Sequence, residues 1–114
     1  MKIVKDSISV DELKEMSEKM FGKLVKAVVD VGMGHMVVDA PMHADEETLL
    51  LENGSKQSDL WGINLRPDFI KTDQFIEFDS MINLKPGQGN RTRSVDSPDI
   101  RKKIIAIVEK VVIE

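Results

Sequence analysis

Two valine-rich runs joined by a short glycine link constrain the fold of this chain most. The first run covers residues 24–31, the second covers residues 35–39, and Gly32-Met33-Gly34 lies between them. Two extended runs with a short glycine-bearing link are typical of a β-hairpin, because glycine permits the tight reversal of the backbone. Since the strands of a hairpin are antiparallel, the sequence favours an antiparallel sheet.

Three helices are predicted around this hairpin. The first, over residues 10–21, follows a capping box that begins at Ser9. The second, over residues 44–54, has acidic side chains in its first turn, although a strand through residues 49–51 is the alternative. The third begins after Ser97 and carries an apolar stripe. The members of that stripe are Ile100, Ile104, Ile107, Val108, Val111 and Val112.

The remaining apolar segments complete an α+β pattern. Residues 3–4, 60–65, 75–78 and 81–84 are interpreted as extended, which gives the order β-α-β-β-α-β-β-α. Hairpins between helices favour a mostly antiparallel sheet with about three helices on one face. Because the length is typical of one domain and no linker divides the chain, residues 1–114 are expected to form a single domain.

Composition excludes several classes of protein. The chain has no cysteine, so disulfides, thiolate metal sites and cysteine nucleophiles are excluded. No apolar run reaches the roughly 20 residues of a membrane span, and the N-terminus lacks a signal-like apolar stretch, so we expect a cytoplasmic protein without a membrane partner. A net charge of −4 and an aromatic content of 4% disfavour nucleic acid as a partner.

A histidine among acidic residues is the first candidate site. We call residues 39–47 the acidic loop, and its candidate metal ligands are Asp39, His43, Asp45 and Glu46. Imidazole and carboxylate groups can hold a divalent cation, or the carboxylate can orient the histidine as a base. The simpler interpretation, which the sequence favours, is that the acids stabilise a helix N-terminus and the histidine pairs locally. The sequence identifies no cofactor.

A glycine-bearing segment is the second candidate site. We call residues 86–94 the glycine loop, and its candidate anion-binding residues are Asn90, Arg91 and Arg93. Glycines let backbone amides approach an anion, and arginine can bind phosphate or carboxylate in a bidentate manner. The alternative is a surface loop whose arginines pair with an acidic protein body, and the sequence favours it.

Two asparagines within extended segments are the third candidate site. Asn64 and Asn83 could line a polar pocket together with Arg66 and Trp61. Asparagine is depleted in strands, so both positions call for an explanation. The alternation of residues 60–65 places Trp61 toward the core and Asn64 away from it. Asn64 can therefore line a pocket only if the face of the sheet that points away from the core is also covered.

Five short segments along the chain carry a recognisable pattern. They are His43-Ala44-Asp45-Glu46, Glu52-Asn53-Gly54-Ser55, Asp59-Leu60-Trp61-Gly62-Ile63-Asn64, Asp79-Ser80-Met81-Ile82-Asn83 and Gln88-Gly89-Asn90-Arg91. Together they resemble a family of short uncharacterised prokaryotic proteins, a domain of unknown function. The resemblance covers nearly the whole chain and implies no activity, cofactor or substrate.

The sequence favours a small binding or interaction protein without catalysis of its own. No coherent catalytic set is present, and apolar strands in a small domain gain from a partner, so a homo-oligomer is expected. A small-molecule ligand is compatible with this function. The alternative is a metal- or phosphate-handling enzyme, which requires the acidic loop and the glycine loop to meet.

Overall fold

The computed structural model describes all 114 residues. In chain order, its strands and α-helices are β1 (Lys2–Val4), β2 (Ile8–Ser9), α1 (Val10–Ser17), β3 (Val25–Asp30), β4 (His35–Val38), α2 (His43–Glu52), β5 (Leu60–Leu65), β6 (Ile76–Glu77), α3 (Pro98–Val111) and β7 (Val112–Ile113). The order confirms the predicted succession of helices and hairpins. It adds two short strands, β2 and β7, that the sequence did not indicate.

Five strands form an antiparallel sheet in the order β1-β4-β3-β5-β6. The predicted hairpin is its centre, where Ala27 faces Val38 and Asp30 faces His35. The short strands β2 and β7 pair separately and in parallel. The α+β class is therefore confirmed. No helix has the length and apolar character needed to cross a membrane.

Helices cover both faces of the sheet. Neighbouring residues of a strand point to opposite faces. Val29 of β3 packs in a large core with Leu13 of α1 and Ile104 of α3. Val28 of the same strand packs instead with Leu50 of α2, in a smaller cluster. The expectation that all helices share one face is therefore wrong, because α2 lies on the other side.

The polar inner face of α2 explains why its position was predicted wrongly. The buried residues of this helix are His43, Glu46 and Leu50. A helix that packs on a sheet normally shows an apolar stripe, and here two of the three buried positions are polar. The pattern therefore gave no indication of which side of the sheet α2 would cover.

Serine side chains cap the N-termini of two helices, as predicted. The Ser9 Oγ accepts a hydrogen bond from the Glu12 N–H at 3.1 Å, and the Ser97 Oγ accepts one from the Ile100 N–H at 3.3 Å. The first helix ends at Ser17, earlier than predicted, because a 3-10 turn follows it. The capping box therefore indicated the start of α1, whereas the helix ends four residues before the predicted residue 21.

A 3-10 turn over Met81–Asn83 replaces the extended segment predicted at residues 81–84. From this turn the Asn83 side chain reaches β5, where its Oδ1 accepts from the Gly62 N–H at 2.8 Å and its Nδ2 donates to the Gly62 carbonyl at 2.9 Å. A Cβ at Gly62 would lie 2.5 Å from the Ser80 Cβ. Asn83 thus acts as a strand neighbour of β5 beyond the end of the two-residue β6.

Replacing Asn83 with alanine is expected to destabilise the protein by about 2–4 kcal/mol, because two buried backbone groups lose their partners. Urea denaturation measures this loss. The control is Asn53→Ala, since the Asn53 side chain makes one exposed hydrogen bond to the Leu49 carbonyl. We expect the control to cost less than about 1 kcal/mol. Equal losses in the two variants would contradict the proposed role of Asn83.

Candidate functional site

His43 is a buried, neutral histidine at the start of α2. Its Nε2 lies 2.8 Å from the Ile63 carbonyl oxygen. Because a carbonyl oxygen only accepts, Nε2 carries the proton. Burial lowers the pKa of His43, so the imidazole is neutral at neutral pH. His43 therefore does not pair locally, as the simpler interpretation of the sequence expected, but bonds to the backbone of β5 at a residue 20 positions later in the chain.

The acidic residues near His43 do not assemble around it. Asp39 accepts hydrogen bonds from the Lys19 Nζ on both carboxylate oxygens, each at 3.0 Å. Asp45 is exposed, whereas Glu46 is fully buried. No group of three or more histidine and acidic side chains is arranged to hold a metal ion. The structure therefore does not bring the predicted ligands together.

Glu46 is the most perturbed ionisable group of the protein. Both carboxyl oxygens are buried without a hydrogen-bond partner. Burial raises the pKa of Glu46 to about 10, although the nearby Ala40 amide opposes this rise. That amide forms no hydrogen bond with either oxygen. Glu46 is therefore protonated at neutral pH, which explains how a carboxyl group is tolerated at this position.

Asn90 holds the glycine loop together. Its side-chain amide donates to the carbonyl oxygens of Asn83 at 2.7 Å and Ser94 at 2.8 Å. Its side-chain oxygen accepts from the Asp96 N–H at 2.7 Å. Asn90 is buried, so these internal bonds occupy the groups that an anion would need. Its arrangement fits a structural role in positioning the loop.

The two arginines of the glycine loop differ in their surroundings. The Arg93 Nε donates to the Asp79 carboxylate at 2.8 Å in an exposed ion pair. Arg91 is exposed, and its backbone N–H donates to the Asp96 carboxylate at 3.2 Å. They therefore do not converge on one bound anion in this arrangement.

The acidic loop and the tip of the glycine loop lie at opposite ends of the sheet. The Gln88 Nε2 donates to the Ser58 carbonyl, just before β5 begins. The beginning of β5 is opposite Asp30, the last residue of β3. The acidic loop instead follows Val38, which faces Ala27 near the start of β3. The base of the glycine loop is nearer to the acidic loop, since burial lowers the pKa of His43 and the charge of Arg93 adds to this effect.

Two of the predicted pocket residues share one carboxylate. The Asn64 Nδ2 donates to Glu77 Oε1 and the Arg66 Nη2 donates to Glu77 Oε2, each at 2.8 Å. Burial raises the pKa of Glu77, but these two hydrogen bonds outweigh it and leave the pKa below its ordinary value. Asn64 is only 5% exposed, so its face of the sheet is covered. Asn83 does not join this group, because it binds Gly62.

Trp61 is a core residue. Its side chain is 1% exposed and belongs to the large core between the sheet, α1 and α3. The Lys85 Nζ lies 5.4 Å from the centroid of the indole ring. The predicted orientation of Trp61 toward the core is confirmed, and the ring is not available as a surface for a ligand.

A cleft of about 760 Å³ lies between α3 and residues 70–78. We call it the α3 cleft. One apolar wall contains Ile70, Phe75, Ile76 and Phe78. The other contains Ile105, Val108 and Val112. Its volume lies within the roughly 300–1,000 Å³ of small-molecule sites, and apolar walls are typical of them.

The α3 cleft exists because apolar side chains at the sheet edge are incompletely covered. Ile76 and Phe78 flank Glu77, so they point to the face that α3 covers, where both remain partly exposed. Ile105 is likewise half-buried on α3. This site was not predicted from the sequence. Two signals were present, the alternation around Glu77 and an isoleucine beside the main stripe of α3.

Arg101 lines the cleft as an oriented cation. Its Nε donates to the Val95 carbonyl at 2.6 Å and its Nη2 donates to the Ser94 Oγ at 2.7 Å. The guanidinium carbon lies 4.6 Å from the centroid of the Phe78 ring. None of the ion pairs of the protein includes Arg101. Its charge is therefore held in place by neutral groups and is not compensated by a carboxylate.

Replacing Glu46 with glutamine is expected to raise stability at pH 7 by about 1–3 kcal/mol, because unfolding lets the wild-type carboxyl ionise. The pKa of Glu46 is higher in the folded state, so its contribution is fully present below about pH 4.5 and declines as pH rises toward about 10. Urea denaturation across this range compares wild type, Glu46→Gln and the exposed control Glu52→Gln. A difference between wild type and Glu46→Gln that does not grow with pH would contradict a raised pKa.

Comparison with known proteins agrees with the resemblance noted in the sequence. A family model described as "Protein of unknown function (DUF5674)" matches residues 2–111. No curated protein and no solved structure matches the chain. The match covers nearly all of the fold described above, including the α3 cleft up to Val111. The chain therefore belongs to the DUF5674 family of proteins of unknown function.

Proposed function

We propose that this protein is a small binding protein without catalysis of its own, and that the α3 cleft is its binding site. The observation that carries this proposal is the cleft itself, an apolar cavity of about 760 Å³ with one oriented cation on its wall. Apolar walls supply most of the affinity of a small-molecule site, whereas a few polar groups orient the ligand.

The exposure of the cleft walls supports binding. Ile70, Ile76, Phe78, Ile105 and Val112 are all partly exposed although they adjoin the core. Removing apolar surface from water is favourable, so contact with each wall stabilises the complex with a ligand that fills the cleft. One side of the cleft is the long helix α3, and the other is the segment 70–78, in which only Ile76–Glu77 is a strand.

The alternative of a metal- or phosphate-handling enzyme has less support. That function requires the acidic loop and the glycine loop to meet, and the tip of the glycine loop packs against Ser58 at the other end of the sheet. Asp39 is paired with Lys19. The buried amide of Asn90 is occupied by internal bonds. These arrangements favour structural roles for the residues that the enzyme hypothesis would use.

The free edges of the sheet support a homo-oligomer. Strand β1 pairs only with β4, and strand β6 pairs only with β5. Each therefore has one edge without a neighbour, and an unpaired edge can pair with another chain. We propose that copies of this chain associate through such an edge.

Replacing Ile105 with glutamate is expected to weaken the binding of a neutral apolar dye, N-phenylnaphthylamine, by about 10-fold or more, because a charge enters an apolar wall. Dye fluorescence measures the affinity. Proton–nitrogen correlation NMR locates the dye, and we expect shifts within residues 70–78 and 101–112.

The matched control for this experiment is Ala106→Glu, which adds the same side chain at an exposed position of α3. We expect this variant to bind the dye as the wild type does. Absence of dye binding to the wild type, or shifts confined to other parts of the chain, would contradict the α3 cleft as the binding site.

The purified protein is expected to have a mass in solution above the 12.8 kDa of one chain. Size-exclusion chromatography with multi-angle light scattering at micromolar concentration measures this mass. Because edge pairing depends on concentration, the mass should fall on dilution. A monomer at every micromolar concentration would contradict the proposed oligomer and would leave the binding site in the cleft untouched.

A further inference from the structure

We propose that the α3 cleft recognises a small amphipathic anion, with an apolar body along α3 and one carboxylate or phosphate group at Arg101. This inference rests on the proposed function, since it assigns a ligand class to the same cleft. It is argued from the position of one arginine, from the charges along the cleft and from its apolar walls.

The guanidinium of Arg101 is already oriented for binding an anion in the unbound protein. Two of its nitrogens are held by Val95 and Ser94, and the guanidinium carbon lies over the Phe78 ring. A guanidinium fixed by neutral partners loses little side-chain entropy on binding, and Nη1 makes no hydrogen bond within the protein. A carboxylate or phosphate at this position would form a charge-assisted hydrogen bond, which is stronger than a neutral one.

The charges of the cleft are arranged along its length. Arg101 and Phe78 lie together at one end, and Lys71 and Glu114 form an ion pair at 3.1 Å at the other. Glu109 is eight residues after Arg101 on α3, which corresponds to about 12 Å along the helix. The far end therefore carries Glu109, the positive charge of Lys71 is already paired, and the carboxylate of Asp73 also lines the cleft. Only the Arg101 end attracts an anion.

The apolar walls lie between these two ends. Ile105 and Val112 are seven residues apart, so the apolar surface on the α3 side extends over about 10 Å. Ile76 and Phe78 face it from the sheet side. A ligand with its anionic group at Arg101 would place an apolar chain or ring along this surface. A ligand with charges at both ends would bring a second anion toward Glu109, which is unfavourable.

Titration of the wild type with three ligands of one chain length tests the inference. The ligands are octanoate, octyl phosphate and the neutral octanamide, all below their micelle concentrations. We expect at least one of the two anions to bind about 10-fold or more tightly than octanamide, with NMR shifts within residues 70–78 and 101–112. Tighter binding of octyl phosphate would indicate a lipid-like phosphate, and tighter binding of octanoate a free carboxylate. Equal affinity for all three ligands would overturn the inference.

Variants of two arginines test the role of Arg101. Arg101→Gln is expected to weaken anion binding by about 10-fold or more and to leave octanamide binding unchanged. Arg91→Gln is the matched control, because Arg91 is exposed outside the cleft, and it should retain the preference for anions. If Arg101→Gln does not fold, Arg101→Lys keeps the charge and should retain part of the preference. A preference that survives in folded Arg101→Gln would overturn the role of this residue.

The outcomes separate this inference from the proposed function. If octanamide and the neutral dye bind in the cleft as tightly as the anions do, the ligand class is wrong and the binding site stands. If neither the dye nor any of the three ligands binds, the proposed function fails together with the inference.

Discussion

The need to pair the backbone of β5 organises this protein. Every residue of β5 is buried, so each of its backbone polar groups requires a partner. Strand β3 supplies partners along one side, but β6 pairs with only two residues on the other. The side chain of Asn83 completes that side by binding both backbone groups of Gly62. Asn90 and Ser80 in turn hold the turn that presents Asn83.

The same short β6 has a consequence on the opposite face of the sheet. Because the chain leaves the sheet after Glu77, α3 packs over an edge that is only two residues long. Ile76 and Phe78 therefore remain partly exposed beside the helix, and the α3 cleft forms there. Arg101 lies over Phe78 at the end of this gap. The short length of β6 thus explains both the buried asparagine network and the proposed binding site.

Polar residues inside this fold serve mainly to hold it together. His43 binds the backbone of β5 as a neutral imidazole, and Glu46 is tolerated only in its protonated form. Asn64 and Arg66 share Glu77 at the sheet edge. Histidine and asparagine in a sequence suggest a catalytic or metal-binding site, but buried backbone groups that lack a strand partner also require such side chains, as His43 and Asn83 show. This is why the predicted site residues lie at several separate places.

Local patterns in the sequence were enough to predict the class of fold, the central hairpin and the starts of the helices, because turn glycines, serine caps and apolar periodicity act over a few residues. The starts of α1 and α3 depend on Ser9 and Ser97, whose side chains each accept a hydrogen bond from the first turn of the helix that follows. The side of the sheet that α2 covers, the turn at residues 81–83 and the α3 cleft follow only from the folded arrangement. These depend on pairing between residues far apart in the chain, such as Gly62 with Asn83 and Phe78 with Arg101. Local patterns carry no information about such pairings.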